Sequence, residues 1–513
     1  MMSSLYIGAT GLKSHSEGMS VVTHNLANVN TVAFKQQSMQ YSDLVSQFLT
    51  SESNLVTNMS QVGAGSMPGS IRTLFTQGGH ETGSAATDLS IDGIGFFGVT
   101  RNGQTHYTRA GDFRFNKDGA LLDPSGWNVL GHAIKNGVES KSSTPIILEP
   151  SAFVMPAKAT SNLTSCSQLG GLKNANDDPA NPFFSMAASW NGTASPPLGA
   201  SSYSYSEPIA FYDANGDLRS ATIYYDLAGK NGGSTAAEYL IALDPKQDAS
   251  GRAGTDSAGL LMAGTITFSS SGQMTNLTAF TPPSSGSPAD LSAWTPASLS
   301  AGGYPTFTAQ VKGVMTQIPG GTAQAKNDST QTISLNMGLS LPGSSSAGLA
   351  SAADAASNPS AIYQANTSAS LNSVASTFYG DTCASISSKR DGYAEGSMTD
   401  VIVTTDGFIR GKYNNGETQD LYRISLYRFT SQDGLHNEGN NHFSATPEAG
   451  AIEEGIPGSE NFGTLSQYSL EGSNVDYARE FSLMIVTQRG FQMNSKVVTT
   501  SDEMLKKALE LKR

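Results

Sequence analysis

Apolar side chains recur every seven residues at both ends of this chain. Near the N-terminus Leu5, Leu12, Met19 and Leu26 carry the repeat, with Val22 and Val29 three places on. Near the C-terminus Tyr477, Met484, Phe491, Val498 and Leu505 do the same, with Phe481 and Leu509 four places on. Seven residues are close to two helical turns, so each set forms one stripe of an amphipathic helix. Neither stripe can bury itself alone. The simplest solution is that the two end helices pack on each other or on further copies of the chain. Everything between them is then one long insertion held out from a helical stem, which is the plan of a subunit that polymerises through its ends.

Composition narrows the class. The chain has 513 residues, enough for about three domains. Lys and Arg total 30 against 43 Asp and Glu, a formal net charge of −13 with no basic run, so nucleic acid is not an expected partner. Charged residues make up 14%, against roughly 25% in an average soluble protein. Gly, Ser, Thr, Ala and Asn fill the difference, which suits a secreted or surface-exposed β-rich protein. The N-terminal Met1-Met2-Ser-Ser-Leu-Tyr-Ile-Gly has neither a basic nor a long apolar region, so no cleaved signal peptide is expected. No stretch approaches the roughly 18 apolar residues of a membrane span, so membrane insertion is not expected either. An exterior protein without a signal peptide requires a dedicated export apparatus. Cys166 and Cys383 are expected to be free or buried thiols.

Along the chain, residues 3–30 read as one helix ending in the turn-formers Asn28-Val-Asn30-Thr31. Residues 34–70 read as irregular, broken by Gly63, Gly65, Pro68 and Gly69. From Ile71 to about Ile147 the pattern is short strands and tight turns, with Asn116-Lys-Asp-Gly119 as a hairpin. Residues 160–340 read as all-β: Asp213-Ala-Asn-Gly216 is a turn, and Ile333, Leu335, Met337 and Leu339 alternate strictly with polar residues or glycine. Residues 343–372 are Ser/Ala/Asn-rich and read as a linker or long loop. Strand patterning returns at Val401-Ile-Val, with a turn at Asp406-Gly407. Glu471 to Leu511 reads as one long helix whose second stripe, Gln488, Ser495 and Asp502, is polar. The fold class expected is multidomain and mainly β, with terminal α-helices forming a coiled-coil-like stem.

Several motifs suggest chemistry and do not sustain it. Gly93-Ile-Gly95-Phe-Phe-Gly98 has the spacing of a dinucleotide fingerprint, but another strand–turn–strand follows where a helix is required. Its glycines serve tight turns and bulges instead. The histidines form no ligand set: His15 and His24 face different sides of a helix, and His436 and His442 flank a Gly/Asn loop. Asp88 and Asp92 are better explained as turn residues than as a catalytic pair. The expectation is no catalytic residue, no cofactor and no metal.

Four blocks carry a family resemblance. Gly11-Leu-Lys…Asn25-Leu-Ala-Asn28-Val-Asn30-Thr31-Val-Ala-Phe34-Lys35 resembles the N-terminal signature of bacterial flagellar rod and hook proteins. Phe75-Thr-Gln-Gly78, Thr87-Asp-Leu-Ser-Ile91-Asp-Gly93-Ile-Gly-Phe-Phe97 and Tyr107-Thr-Arg-Ala-Gly-Asp112 resemble the block that follows it. Leu470-Glu-Gly-Ser473-Asn474-Val475-Asp476 and Gln488-Arg489-Gly-Phe-Gln-Met-Asn494-Ser-Lys are similar to the closing motif. Asp391-Gly-Tyr-Ala-Glu-Gly396 and Asp406-Gly-Phe-Ile-Arg-Gly411 look like the hook members' second inner-domain block, and the length and large middle insertion also point to the hook members. One departure is Ala33, where the family commonly has glycine.

The resemblance implies a plan. Residues 1–33 and 472–513 would form a helical, channel-lining inner domain. Residues 34–70 would be an extended connecting segment. Residues 71–150 and 373–471 would form an inner β-domain, 151–340 an outer β-domain, and 341–372 a linker. The subunit would leave the cell through the flagellar type III export apparatus and polymerise with itself into a flexible tube. It would meet rod, hook-cap and hook–filament junction proteins. Other readings are another axial part of the same organelle, or a secreted β-rich carbohydrate- or nucleotide-binding protein.

Overall fold

The computed structural model describes residues 2–45, 47–53, 56–176, 178–316 and 324–511. The chain divides into two compact units, Met1–Val154 with Met398–Arg513, and Met155–Ser397.

The first unit carries both long helices, Met2–Ala27 and Tyr477–Glu510. The first ends three residues earlier than the sequence predicts. Asn28 turns its Nδ2 back onto His24 O at 2.9 Å and accepts the Thr31 hydroxyl at 3.1 Å, a side-chain cap that competes with further helix. The last helix starts six residues later than Glu471, because Asp476 stays extended and accepts the Arg479 N–H at 2.9 Å as an N-cap. The intervening Ser469–Glu471 is a strand instead.

The β part of this unit interleaves its two distant stretches. Asn128–Lys135 pairs with Phe96–Arg101 on one side and with Thr418–Ile424 on the other. Leu89–Asp92 pairs with Thr464–Gln467, and His80–Thr82 with Ser469–Glu471. Phe97, Val99, Phe113, Val129, Ile424 and Leu426 close its core. The hairpin expected at Asn116–Gly119 forms: Gly119 has φ +79° and Asn116 Oδ1 accepts the N–H groups of Asp118 and Ala120. Gly93 and Gly95 also sit at positive φ, +110° and +142°, between strands. That is the turn-forming use of those glycines.

Residues 34–70 are more regular than predicted. Gln37–Asp43 pairs antiparallel with Ser66–Thr73, and Gln47–Ser53 with Val56–Val62. Polar, breaker-rich composition hid the pairing. Ser14 on the first helix donates to Ser66 O at 3.2 Å, which fixes the returning strand against that helix.

The second unit is built on a sheet in which Tyr205–Tyr212, Leu218–Asn231, Ser234–Leu243 and Leu260–Phe268 are successive antiparallel neighbours. A second sheet orders Thr306–Val311, Ser329–Asn336, Asn162–Leu169 and Cys383–Arg390. Two boundaries differ from the sequence reading. Residues 373–397 belong here and not with the inner β-domain, because Cys383–Arg390 pairs with Asn162–Leu169 from Leu163 to Leu169. The 341–372 stretch is not a linker. Leu341, Leu349, Ala352, Ala355 and Ile362 are buried, and two short helices, Asp354–Ser357 and Pro359–Tyr363, form within it. Alanine and serine, read as linker composition, are here the small residues that fit against a sheet face. Both cysteines are free thiols, Cys166 buried and Cys383 half-buried.

A buried acid gives this unit a pH dependence. Burial pushes the Glu238 carboxyl up to about 8, against the opposing hydrogen bond from Ser185, and Asp226 lies directly across the strand pair. A folded pKa raised above the unfolded value means that the native state holds a proton the unfolded chain releases. The stability from this proton is complete below about pH 4.3 and is lost as pH rises towards 8, at up to about 1.4 kcal/mol per pH unit. The melting temperature of this unit should therefore fall between pH 5 and pH 8 in calorimetry, and Glu238→Gln should flatten the slope. An unchanged slope would assign the dependence to other groups.

Candidate functional site: the paired terminal helices

The two long helices run antiparallel in one fixed register. Ser4 and Ser501 hydroxyls lie 3.3 Å apart. A Cβ on Gly8 would stand 2.8 Å from Val498, one on Gly11 2.7 Å from Asn494, and one on Gly490 2.6 Å from the His15 ring. Gly18 lies under the Tyr41 hydroxyl with Thr487 in van der Waals contact beside it, and Asn25 donates to Glu480 at 3.3 Å. Two heptad series therefore meet: Ser4, Gly11, Gly18 and Asn25 on one helix, Glu480, Thr487, Asn494 and Ser501 on the other. The contact is a ladder of small and polar groups, with Val497 and Val498 against Gly8, which lets the backbones approach closely.

This seam carries a prediction of unusual sign. Helix propensity alone makes Gly490→Leu a gain of roughly 0.8–1 kcal/mol. The seam leaves no room for the side chain, so the helices should separate and far-UV helicity should drop. Melting of the β core should change little. Gln488→Leu, on the exposed side of the same helix, is the control.

At the foot of the helices a buried ion cluster holds three chain segments together. Glu471 is fully buried, Lys35 and Arg109 almost so. Lys35 Nζ donates to Glu471 Oε1 at 2.5 Å and to Thr76 O at 2.8 Å, while Arg109 Nη1 reaches Glu471 Oε2 at 3.3 Å. Burial lowers the pKa of Lys35, with Glu471 opposing the shift, and the same burial lowers that of Arg109. Asn474 completes the junction. Its Oδ1 accepts the Gln36 N–H at 2.6 Å and its Nδ2 donates to Leu74 O at 2.7 Å. Asn25 bridges similarly, donating to Gln37 O at 2.7 Å and accepting the Gln37 N–H at 2.9 Å.

The large apolar residues of the last helix point elsewhere. Tyr477 is 59% exposed, Phe481 47%, Phe491 42% and Leu509 69%, and Val486, Met493 and Met504 are more than half exposed. Aromatic and aliphatic faces of this extent need a further partner to be stable in water.

Sequence comparison gives those faces an owner. Residues 466–511 match the family described as flagellar basal body rod FlgEFG protein C-terminal, 179–393 the flagellar basal body protein FlaE D2 domain, and 90–164 the flagellar hook protein FlgE/F/G D1 domain. Flagellar hook protein FlgE of Borreliella burgdorferi is 28% identical over the whole of both chains. The protein of the same name from Treponema pallidum is 26% identical over the whole of both, and that from Escherichia coli 24% over 98% of each. The chain belongs to the flagellar hook protein family.

In this hook-family chain the predicted residues divide. Leu5, Leu12, Met19 and Leu26 are half-buried and Val22 is buried on the first helix, Val29 is half-buried in the turn after it, and Met484, Val498 and Leu505 are half-buried on the last helix. Of the motif residues, Asn25, Phe34, Lys35 and Val475 are buried. Ser473 accepts the Val475 N–H at 3.3 Å, Asn28 and Thr31 form the cap already described, and Asn30, Gln488 and Arg489 are exposed. Asn494 lies in the seam against Gly11. The polar stripe expected at Gln488, Ser495 and Asp502 is not the one that meets the first helix. The stripe that does lies one residue earlier. Ala33 adopts φ +57° while buried, with its N–H on Glu471 O at 2.7 Å. A glycine, which the resemblance leads one to expect here, would adopt this φ without strain.

Sequence reading gave no place to Gly8, Gly18, Thr487 and Glu480, and quoted Gly11, Gly490 and Glu471 only within family blocks or as a helix limit, with no packing role for any of them. The seven-residue spacing of small residues was available, but a search for apolar periodicity passes over it. Among the described residues no group of three or more His, Cys, Asp or Glu side chains could hold a metal ion, and no helix is long and apolar enough to cross a membrane.

Proposed function

We propose that this chain is the structural subunit of the bacterial flagellar hook, polymerising with itself into the flexible tube that joins rod to filament and transmits motor torque. The observation that carries the reading is the exposed apolar face of the last helix beside the closely packed seam that joins it to the first. In a tube, the same face is buried once in every subunit. The role is structural rather than catalytic. The finer parts of the reading follow from the family: export through the flagellar type III apparatus without a cleaved signal, growth under a hook cap, and end contacts with rod and hook–filament junction proteins. Residues 1–33 and 472–513 serve as the assembly domain.

The test is complementation. A strain lacking its own hook protein and expressing this chain should carry curved tubes of hook dimensions in negative-stain electron micrographs. Export of the folded chain with no tube would refute the reading.

A further inference from the structure

The Met155–Ser397 unit carries a cleft of about 700 Å³ of its own. That is the size of a small-molecule site, about 300–1,000 Å³. Its floor is one face of the strand Leu218–Asn231. Side chains alternate along a strand. Ala221, Ile223 and Tyr225 enter the core, while Ser220, Thr222 and Tyr224 turn the other way and line the cleft. The floor is therefore a row of three hydroxyls, and among the described residues the exposed Ser220 hydroxyl has no partner. Two lysines stand at the rim. Lys312 Nζ donates to Lys246 O at 3.3 Å, so both belong to the same wall. Both are exposed, and neither has an ion-pair partner among the described residues. The one acid in the lining, Asp244, is turned onto the Lys246 N–H at 3.0 Å. The walls are preformed. Trp190 Nε1 donates to Ala258 O at 3.0 Å, Gly192 N to Asp256 O at 2.7 Å, and Lys312 N to Gln247 O at 2.9 Å. Binding here would carry little cost of ordering the protein.

We propose that this cleft binds an acidic sugar, a saccharide unit bearing a carboxylate, sulfate or phosphate. The two unpaired ammonium groups take the anion through charge-assisted hydrogen bonds. The hydroxyl row on the floor meets the ring hydroxyls, each of which can donate or accept. Gln247 adds an acceptor. Its amide oxygen is buried beside the cleft without a hydrogen bond, and the amide gains a donor by turning that oxygen to a ligand hydroxyl. A bare anion would use the lysines and leave the hydroxyl floor idle, and an apolar ligand would leave both unmatched. The site lies within one unit and needs no contact between copies, so it stands independently of the hook reading.

Calorimetric titration of the full-length chain with trigalacturonate, a heparin tetrasaccharide and glucose 6-phosphate tests this. Maltotriose and inorganic phosphate serve as the neutral sugar and the bare anion. At least one acidic sugar is expected to bind, more tightly than either comparison by roughly tenfold or more. Lys246→Ala combined with Lys312→Ala should weaken that binding by roughly tenfold or more, through the loss of two charge-assisted hydrogen bonds. Ser220→Ala should weaken it by a smaller factor. All three side chains are exposed, so the melting curve should not move. Equal binding of maltotriose or of phosphate, binding that ignores both lysines, or no binding of any acidic sugar overturns the proposal. Each of those results leaves tube formation, and the hook reading with it, untouched.

Discussion

Phe491→Asp should be expressed, folded and exported, and should build no hook. Phe491 is 42% exposed and, with His15 and Met19, lines a groove of about 460 Å³ on the helix pair. Burying a phenylalanine is worth roughly 1.5–3 kcal/mol. A polymer repeats that term at every subunit, so its loss moves the critical concentration for assembly steeply. The aspartate adds the cost of dehydrating an unpaired carboxylate, which a packed tube cannot relieve. In the isolated chain the same position still meets water, so the cost there is small. Electron microscopy should show no tubes and swimming assays no motility, while the chain's thermal melting stays within about 1 kcal/mol of the unsubstituted value. Lys507→Asp, which breaks only the exposed pair with Glu510, should assemble normally. Tubes formed by Phe491→Asp would mean that the exposed stripe is not a polymer contact.

Glu471→Gln should be the most destabilising single change in the first unit. It leaves Lys35 and Arg109 buried with no counter-charge, and removal of one partner from a buried ion cluster typically costs about 3–5 kcal/mol. The effect should reach further than the core, because Glu471 also accepts the Gly78 N–H at 2.9 Å and its carbonyl receives the Ala33 N–H. The foot of both helices is therefore expected to loosen together, with a lower melting temperature and faster proteolysis near residue 35 and residue 474. Arg72→Ala is the contrast. Its pair with Asp433 at 2.5 Å is half-exposed on both sides, and such pairs are worth about 1 kcal/mol or less. Equal effects from the two substitutions would show that the cluster is not a clamp.

The terminal helices, the β-rich middle and its hairpin turns were legible in the sequence because each depends on local rules. Heptad spacing gives the helix, and Asn-Lys-Asp-Gly gives the turn, whatever the rest of the chain does. The family blocks were legible for the same reason, being short and colinear. Other features depend on which segments meet. The polar, small-residue seam is invisible until Gly11 faces Asn494 and Gly490 faces His15, because a glycine in a helix reads only as a weakness. Glu471 is one acid among 43 Asp and Glu residues until folding brings Lys35 and Arg109 to it from more than 350 residues away. The buried alanines at 352 and 355 read as linker until a sheet face packs on them. Periodicity by itself determined which segments are helices and that they carry an apolar stripe. The tertiary structure decided which stripe closes the helix pair and which is left exposed, because burial is a property of the partner surface as much as of the residue.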